Sequence, residues 1–327
     1  MDATRITAPA NSTPPKSAAL SPGSQRRARA RRRNTLIPFL LPALSIFTGL
    51  VLVPIGLGLY TSLFKWNGFG GLPTNFVGLD NFVRLFGDEI FLGDLRRGLV
   101  LVLLSLVVQL PVALGLALLL NQPLRFRGIY RLIFFAPYVL SEVITGVLFT
   151  MVLSPTGGLV NQIFDVFGIA GQTWLSDPSR VLVTMFFVVS WKYFGFHMIL
   201  YLAGRQDIPP ELTEAAMMDG ASTWQIFRNI TLPLLGPTIR ISVFLSTIGA
   251  IQLFDMVWVL TGGGPIHASE TMAVTLFQYG FRRYEVGYAS AISVTMFMIS
   301  LVFALLYQRF VLRRDTEGAV TRTGDIR

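Results

Sequence analysis

"ELTEAAMMDGASTWQIFRNITLPLLGP", residues 211–237, interrupts a chain otherwise built from long apolar runs. Its local chemistry is that of soluble helix. Pro210 suits the first turn, where a missing N–H costs nothing, and Glu211 and Glu214 suit the positive end of a helix dipole. Gly220 falls where a left-handed residue closes a helix. Ser222 and Gln225 read as a capping box opening a second short helix, whose Ile226, Phe227 and Ile230 share one face. Pro233 and Pro237 are expected to break that helix before the next apolar run. The stretch therefore reads as helix, glycine corner, helix, proline break, with nothing catalytic in it. Physics alone leaves two readings: a docking knob for another protein, or an amphipathic element resting on lipid.

The surroundings decide the class. Of 327 residues, 52% are apolar and 14% charged, and the mean hydropathy is +0.58. A soluble domain carries about a quarter charged residues, so the chain belongs with membrane proteins. The absence of cysteine excludes disulfides, thiol catalysis and thiolate metal sites. The net charge of +9 does not call for nucleic acid. Much of it lies in "RRARARRR", residues 26–33, where a basic run orients the first span on an anionic cytoplasmic leaflet. Residues 1–33 are expected to be a disordered basic cytoplasmic tail, and 313–327 a cytoplasmic C-terminal tail. A cleaved signal peptide fits poorly, because the run that follows is too long.

About 20 apolar residues cross a hydrocarbon core about 30 Å thick. Six segments meet that test, roughly 36–63, 99–120, 132–153, 181–202, 238–260 and 289–311. The expectation is an all-α, polytopic membrane protein with six transmembrane helices in a domain spanning 34–312 and both termini cytoplasmic. Most of the 27 lysines and arginines then fall inside, as the positive-inside rule requires. The first outer loop, with Lys65, Arg84, Arg96 and Arg97, is the exception. The 203–237 loop, between spans 4 and 5, becomes cytoplasmic.

Ionisable groups inside spans are costly and face protein or a water-filled path. Here they are Glu142, Lys192, His197 and Asp255. Glu142 and Lys192 both fall near mid-bilayer and are expected to pair or to bridge through water. Hydrogen-bonding and aromatic groups cluster in the fourth span, at Ser190, Trp191, Tyr193, Phe196 and His197, and in the fifth, at Ser246, Gln252 and Phe254. Each also fits core packing. Gln252 is the leading candidate, because an amide in hydrocarbon needs a partner. Pro111 suggests a kink, and Gly287, Ala289, Ser290 and Ala291 a close helix contact.

No Walker A loop is present, and none of Lys16, Lys65 and Lys192 follows a glycine. No H-E-x-x-H or G-x-S-x-G occurs either, so no catalytic, cofactor or metal site is expected.

The 211–237 stretch resembles the EAA signature of ABC importer permeases. Glu214, Ala215, Ala216, Gly220, Ile230, Leu232 and Pro233 stand at its spacing. The resemblance implies that this loop, with Glu211 and Asp219, is the coupling helix that docks on an ATP-binding subunit. Stretches such as "RGIYRLIFFAPYVL", "WKYFGFHMILYLAGRQDIPPEL" and "IQLFDMVWVLTGGGP" are similar to the carbohydrate-uptake branch, over about residues 36–312. The "TGGGP" turn is typical of one of its two paired subunits. The resemblance implies a bacterial inner-membrane subunit working with a second permease, two ATP-binding subunits and an extracytoplasmic solute-binding protein. It also implies that spans 4 and 5 line the translocation path. An ABC permease for a non-sugar solute and an ion-driven secondary transporter remain as alternatives.

Overall fold

Apolar runs become helix nearly everywhere in the computed structural model, which describes residues 40–312. The tails expected at 1–33 and 313–327 lie outside the described residues. The helices are α1 (Leu40–Thr61), α2 (Asp80–Gly87), α3 (Glu89–Leu120), α4 (Arg127–Val139), α5 (Glu142–Val152), α6 (Leu159–Val166) and α7 (Val181–Gln206). They continue as α8 (Pro210–Met218), α9 (Thr223–Leu234), α10 (Gly236–Ile251), α11 (Asp255–Leu260), α12 (Met272–Phe277) and α13 (Val286–Leu312). No β-strand occurs among the described residues; a lone bridge joins Phe64 and Phe76.

The chain divides into two compact units, one ending at Gly56 and one beginning at Leu57. The described part of the first is helical and carries exposed Leu44, Ile46 and Leu50, a surface suited to hydrocarbon rather than water. The second unit has three apolar cores. In one, Met185, Phe186 and Val188 of α7 meet Met256, Val257 and Leu260 of α11. In another, Leu85 and Phe91 meet Tyr279, Tyr288 and Ile292. In the third, Ala113 and Ala117 of α3 bring that helix close to Met198, Tyr201 and Leu202 of α7.

Four helices are long and apolar enough to cross a membrane alone: α1, α3, α7 and α13. Two further candidates are bent pairs, α4 with α5 at 99° and α9 with α10 at 65°, so the count reaches six only if each pair is one span. This corrects the single helices expected at 132–153 and 238–260. The first breaks at Leu140–Ser141; the second ends at Ile251 and resumes as α11. Glu142 and Asp255 therefore begin helices instead of sitting inside them. Their charges meet the positive end of a helix dipole there, a cheaper position than mid-helix in hydrocarbon.

Prolines within the apolar helices act otherwise than as breakers. Three π turns, Thr48–Leu52, Ser105–Gln109 and Phe227–Thr231, precede Pro54, Pro111 and Pro233. In each, the residue before the proline donates one position further back than in an α-helix: Val53 to Thr48, Leu110 to Ser105, Leu232 to Phe227. A proline ring crowds the carbonyl four residues earlier, and the widened turn makes room for it. The kink expected at Pro111 is thus a π turn, and Pro233 lies inside α9. The break expected from Pro233 and Pro237 falls between them, at Leu235, where α9 gives way to α10.

The small residues near 287 do make a close contact, against residues 61–66 of the same chain. Gly287 N–H donates to Trp66 O at 2.9 Å, and Thr61 Oγ1 donates to Ser290 Oγ at 2.8 Å. A Cβ at Gly287 would overlap the Phe64 carbonyl oxygen.

Two polar clusters tie this half together. Asp94, fully buried, takes the Arg97 guanidinium at 2.5 Å, and Thr275 Oγ1 lies 2.5 Å from Asp94 and 3.0 Å from the carboxyl of buried Glu270. Nearby, Arg84 pairs with Glu285 at 2.5 Å and lies over the Tyr288 ring. The Glu285 hydrogen bond pushes the Arg84 pKa up. Before α7, Asp177 accepts from the hydroxyl and backbone N–H of Ser179, which hold its carboxyl below the usual range.

Candidate functional site

The break between α4 and α5 organises the first candidate site. Pro137 occupies the last turn of α4, Leu140 and Ser141 are extended, and the Ser141 hydroxyl caps α5 by accepting the Ile144 N–H at 3.1 Å. Such a break leaves carbonyls unsatisfied on one side and N–H groups on the other. Lys192 of α7 supplies the missing donor: its ammonium bonds the carbonyls of Leu140 and, at 3.3 Å, Tyr138. Glu142, in the first turn of α5, accepts from the Tyr193 hydroxyl.

Of the two arrangements expected for Glu142 and Lys192, the direct ion pair does not form. Each charge has a helix end of opposite polarity, the cation on the closing carbonyls of α4 and the anion at the start of α5. Neighbouring positions on α7 serve the two separately. Lys192→Met is expected to lower stability by about 1–3 kcal/mol, because buried carbonyls lose their donor. Glu142→Gln should change it little, since an amide oxygen still accepts from Tyr193. Thermal unfolding of the purified variants in detergent checks the contrast; equal losses would restore the ion-pair reading.

Above this break lies a cavity of about 400 Å³. Of the residues singled out in the sequence, Glu142, Tyr193, Phe196, His197, Ser246, Gln252, Phe254 and Asp255 line it. Ser190, Trp191 and Lys192 do not: the Ser190 hydroxyl is buried without a partner, and Trp191 packs edge-on against Phe149. Gln252 reaches the wall from the break after α10, not from within a span. His197 is fixed by a 2.6 Å hydrogen bond between its Nδ1 and Ser242 Oγ. Tyr138 and Phe196 stack at 4.9 Å, providing a flat aromatic face.

Among the polar wall residues, sequence reasoning missed three, Tyr138, Ser105 and Gln109. The latter two had a signal: they are polar, four apart, and stand in the otherwise apolar 99–120 run. Four apart is one helix face.

The second candidate site is the 211–237 loop. Helix α8 ends in a Schellman arrangement, with Gly220 at φ +77, its N–H on Met217 O and the Ala221 N–H on Ala216 O. Ser222 and Gln225 form the capping box, the side chain of each accepting from the backbone of the other. Glu211, Glu214, Ala215 and Asp219 are exposed, Ala216 and Ile230 half-buried, and Leu232 and Pro233 exposed on α9. Several large apolar side chains beside them also stay uncovered, notably Leu212, Met217, Trp224 and Met218, the last 88% exposed.

Comparison with known proteins now bears on both sites. The model of the binding-protein-dependent transport system inner membrane component matches residues 109–316, a range holding the cavity break, α7 and the whole loop. The chain belongs to this family of ABC importer permeases. A probable ABC transporter permease of Bacillus subtilis, YurN, is 36% identical across 85% of this permease and 97% of its own length. The sulfoquinovosyl glycerol transport permease SmoG of Agrobacterium fabrum is 33% identical across 86% and 92%. In a solved bacterial alginate ABC transporter, bound to an alginate pentasaccharide-loaded periplasmic protein, one chain superposes with a TM-score of 0.77 at 27% identity. That match covers 88% of this permease and 96% of that chain. As a transporter permease subunit, the protein is not itself an enzyme.

Proposed function

We propose that this permease is a translocation subunit of a bacterial ATP-driven sugar importer. It has six spans, with both termini and the 203–237 loop in the cytoplasm of a bacterium whose inner membrane it crosses. The cavity is its half of the path, and the lining residues from α7 and from around α10 face the cargo. A second related permease completes the path, two ATP-binding subunits drive it, and an extracytoplasmic solute-binding protein delivers the sugar. ATP closes the nucleotide subunits, the helix from Pro210 to Met218 is carried with them, the spans rock to admit cargo, and hydrolysis resets them.

The observation that carries this reading is the loop's combination of stiffness and nakedness. Local caps hold its two helices at a fixed corner, yet Leu212, Met217, Met218 and Trp224 lie uncovered around Ala215. A rigid apolar knob suits a protein cleft. The sugar reading draws support from the cargo in the relatives' names and from aromatic, hydroxyl and amide groups on the cavity wall.

Ala215→Glu tests it. The side chain is exposed, so stability should change by under about 0.5 kcal/mol. Uptake by vesicles containing the full importer should nevertheless fall at least about tenfold, because a charge would enter an apolar contact. Cargo movement by the permease in vesicles lacking any ATPase subunit would instead favour an ion-driven transporter.

A further inference from the structure

The π turn of α3 turns two polar side chains toward the cavity. Ser105 and Gln109 line it and are 6% and 4% exposed, so almost all of each is enclosed by protein. Neither side chain has a hydrogen-bond partner among the described residues, although Gln109 alone offers two donors and an acceptor. Among the described residues the fully enclosed polar atoms without a partner are Arg131 Nε and Ser190 Oγ, so the unused donors and acceptors of Ser105 and Gln109 are not sealed in but open onto the cavity, where a ligand can meet them. Residues 105 and 109, four apart, share the face turned to the cavity, and the π turn they bound has its own cause in Pro111. Turns of this kind recur at functional sites.

The chemistry narrows the ligand. A serine hydroxyl and a primary amide, both uncharged, donate and accept equally well, which matches hydroxyl groups rather than a phosphate or an ammonium. The stacked Tyr138 and Phe196 rings supply an apolar face on the same wall.

We infer that Ser105 and Gln109 are cargo-binding residues that hydrogen-bond the hydroxyl groups of a saccharide or polyol in this cavity. The inference rests on the importer reading above and adds to it the residues of α3 that hold the cargo.

The lack of cysteine makes the test direct. Ser105→Cys and Gln109→Cys each introduce the chain's single thiol. In vesicles holding the complete importer, a small charged methanethiosulfonate should modify both at least about tenfold faster than Val107→Cys, on the same turn, whose side chain is 70% exposed on the outside of this chain. A hydrocarbon-facing thiol does not ionise and so reacts slowly. A probe panel of glucose, maltose and glycerol at about 100 mM should include at least one member that slows labelling about threefold or more, while glycine betaine at equal osmolarity should not. Unreactive thiols at both positions, or no protection by any panel member, would overturn the assignment. The importer reading has a separate readout: a non-hydrolysable ATP analogue should change the labelling rates. Sugar protection without that nucleotide effect would leave the cargo contact standing and remove the ATP-driven mechanism.

Discussion

Arg97→Met should cost the permease about 3–5 kcal/mol, enough to deplete the folded protein. The Arg97 guanidinium bonds Asp94 Oδ1 at 2.5 Å, the Glu270 backbone carbonyl at 2.8 Å and the Ile90 carbonyl at 3.3 Å. Asp94 and Glu270 are 0% and 1% exposed, and they approach each other through Thr275. A threonine hydroxyl carries one proton, so it donates to one carboxylate at a time. With both ionised, the other contact sets two acceptors against each other. Arg97 is the cation on Asp94, while the Glu270 carboxylate has the His267 imidazole as its nitrogen partner, and methionine at 97 would fill the volume without the charge.

Adding Asp94→Asn to Arg97→Met should recover more than half of the loss, since a neutral amide leaves only one buried carboxylate. Thermal unfolding in detergent gives both numbers. A midpoint for Arg97→Met within a degree of the parent would show that the buried carboxyls do not depend on the guanidinium.

The same cluster explains where sequence reading faltered. The segment assigned outside held more cations than the charge rule favours. Two of them are neutralised within the fold, Arg97 by Asp94 and Arg84 by Glu285. Charge counting treats every arginine as free, and partners as remote as Glu285 cannot be paired by spacing alone. That neutralisation also lets α3 start at Glu89, ten residues before the apolar run.

The 211–237 loop was legible in detail because its signals are local. Gly220, Ser222 and Gln225 act on backbone groups within a few residues, so their roles follow from spacing. The α4–α5 break was legible in principle, for Ser141 followed by Glu142 and preceded by Pro137 is a helix-start signature. Hydropathy averaged over a membrane-length window hides such a signature. The prolines were legible in part: the break expected from Pro233 and Pro237 falls between them, at Leu235, whereas the π turns before Pro111 and Pro233 carry no signal that spacing reveals. The cavity residues from α7 and around α10 stood out by composition, whereas Ser105 and Gln109 carried only the weaker signal of two polar groups four apart in an apolar run.

Gly195→Ala should be nearly as damaging as Arg97→Met, through packing instead of charge. Gly195 of α7 faces the backbone of α4. A methyl there would overlap the Phe134 carbonyl oxygen and lie 2.8 Å from its carbon and 3.1 Å from Phe135 Cα. Backbone cannot move aside as a flexible side chain does, so the helices must separate, at about 1–3 kcal/mol for overpacking alone. Separation has a further consequence, because Lys192 lies one turn earlier on α7 and bonds the carbonyls that end α4. Its ammonium would withdraw from Tyr138 and Leu140, and Tyr193 would shift from Glu142 on the cavity wall. Uptake should fall at least about tenfold alongside the lost stability, whereas Gly115→Ala, with nothing within 4 Å of the added methyl, should gain about 0.5–1 kcal/mol of helix stability and keep transporting. Because the obstruction is a main-chain carbonyl, adding Phe134→Ala should not restore Gly195→Ala. Rescue by that truncation would mean the two helices are held apart by side chains, and the carbonyl contact would no longer explain why glycine stands at 195.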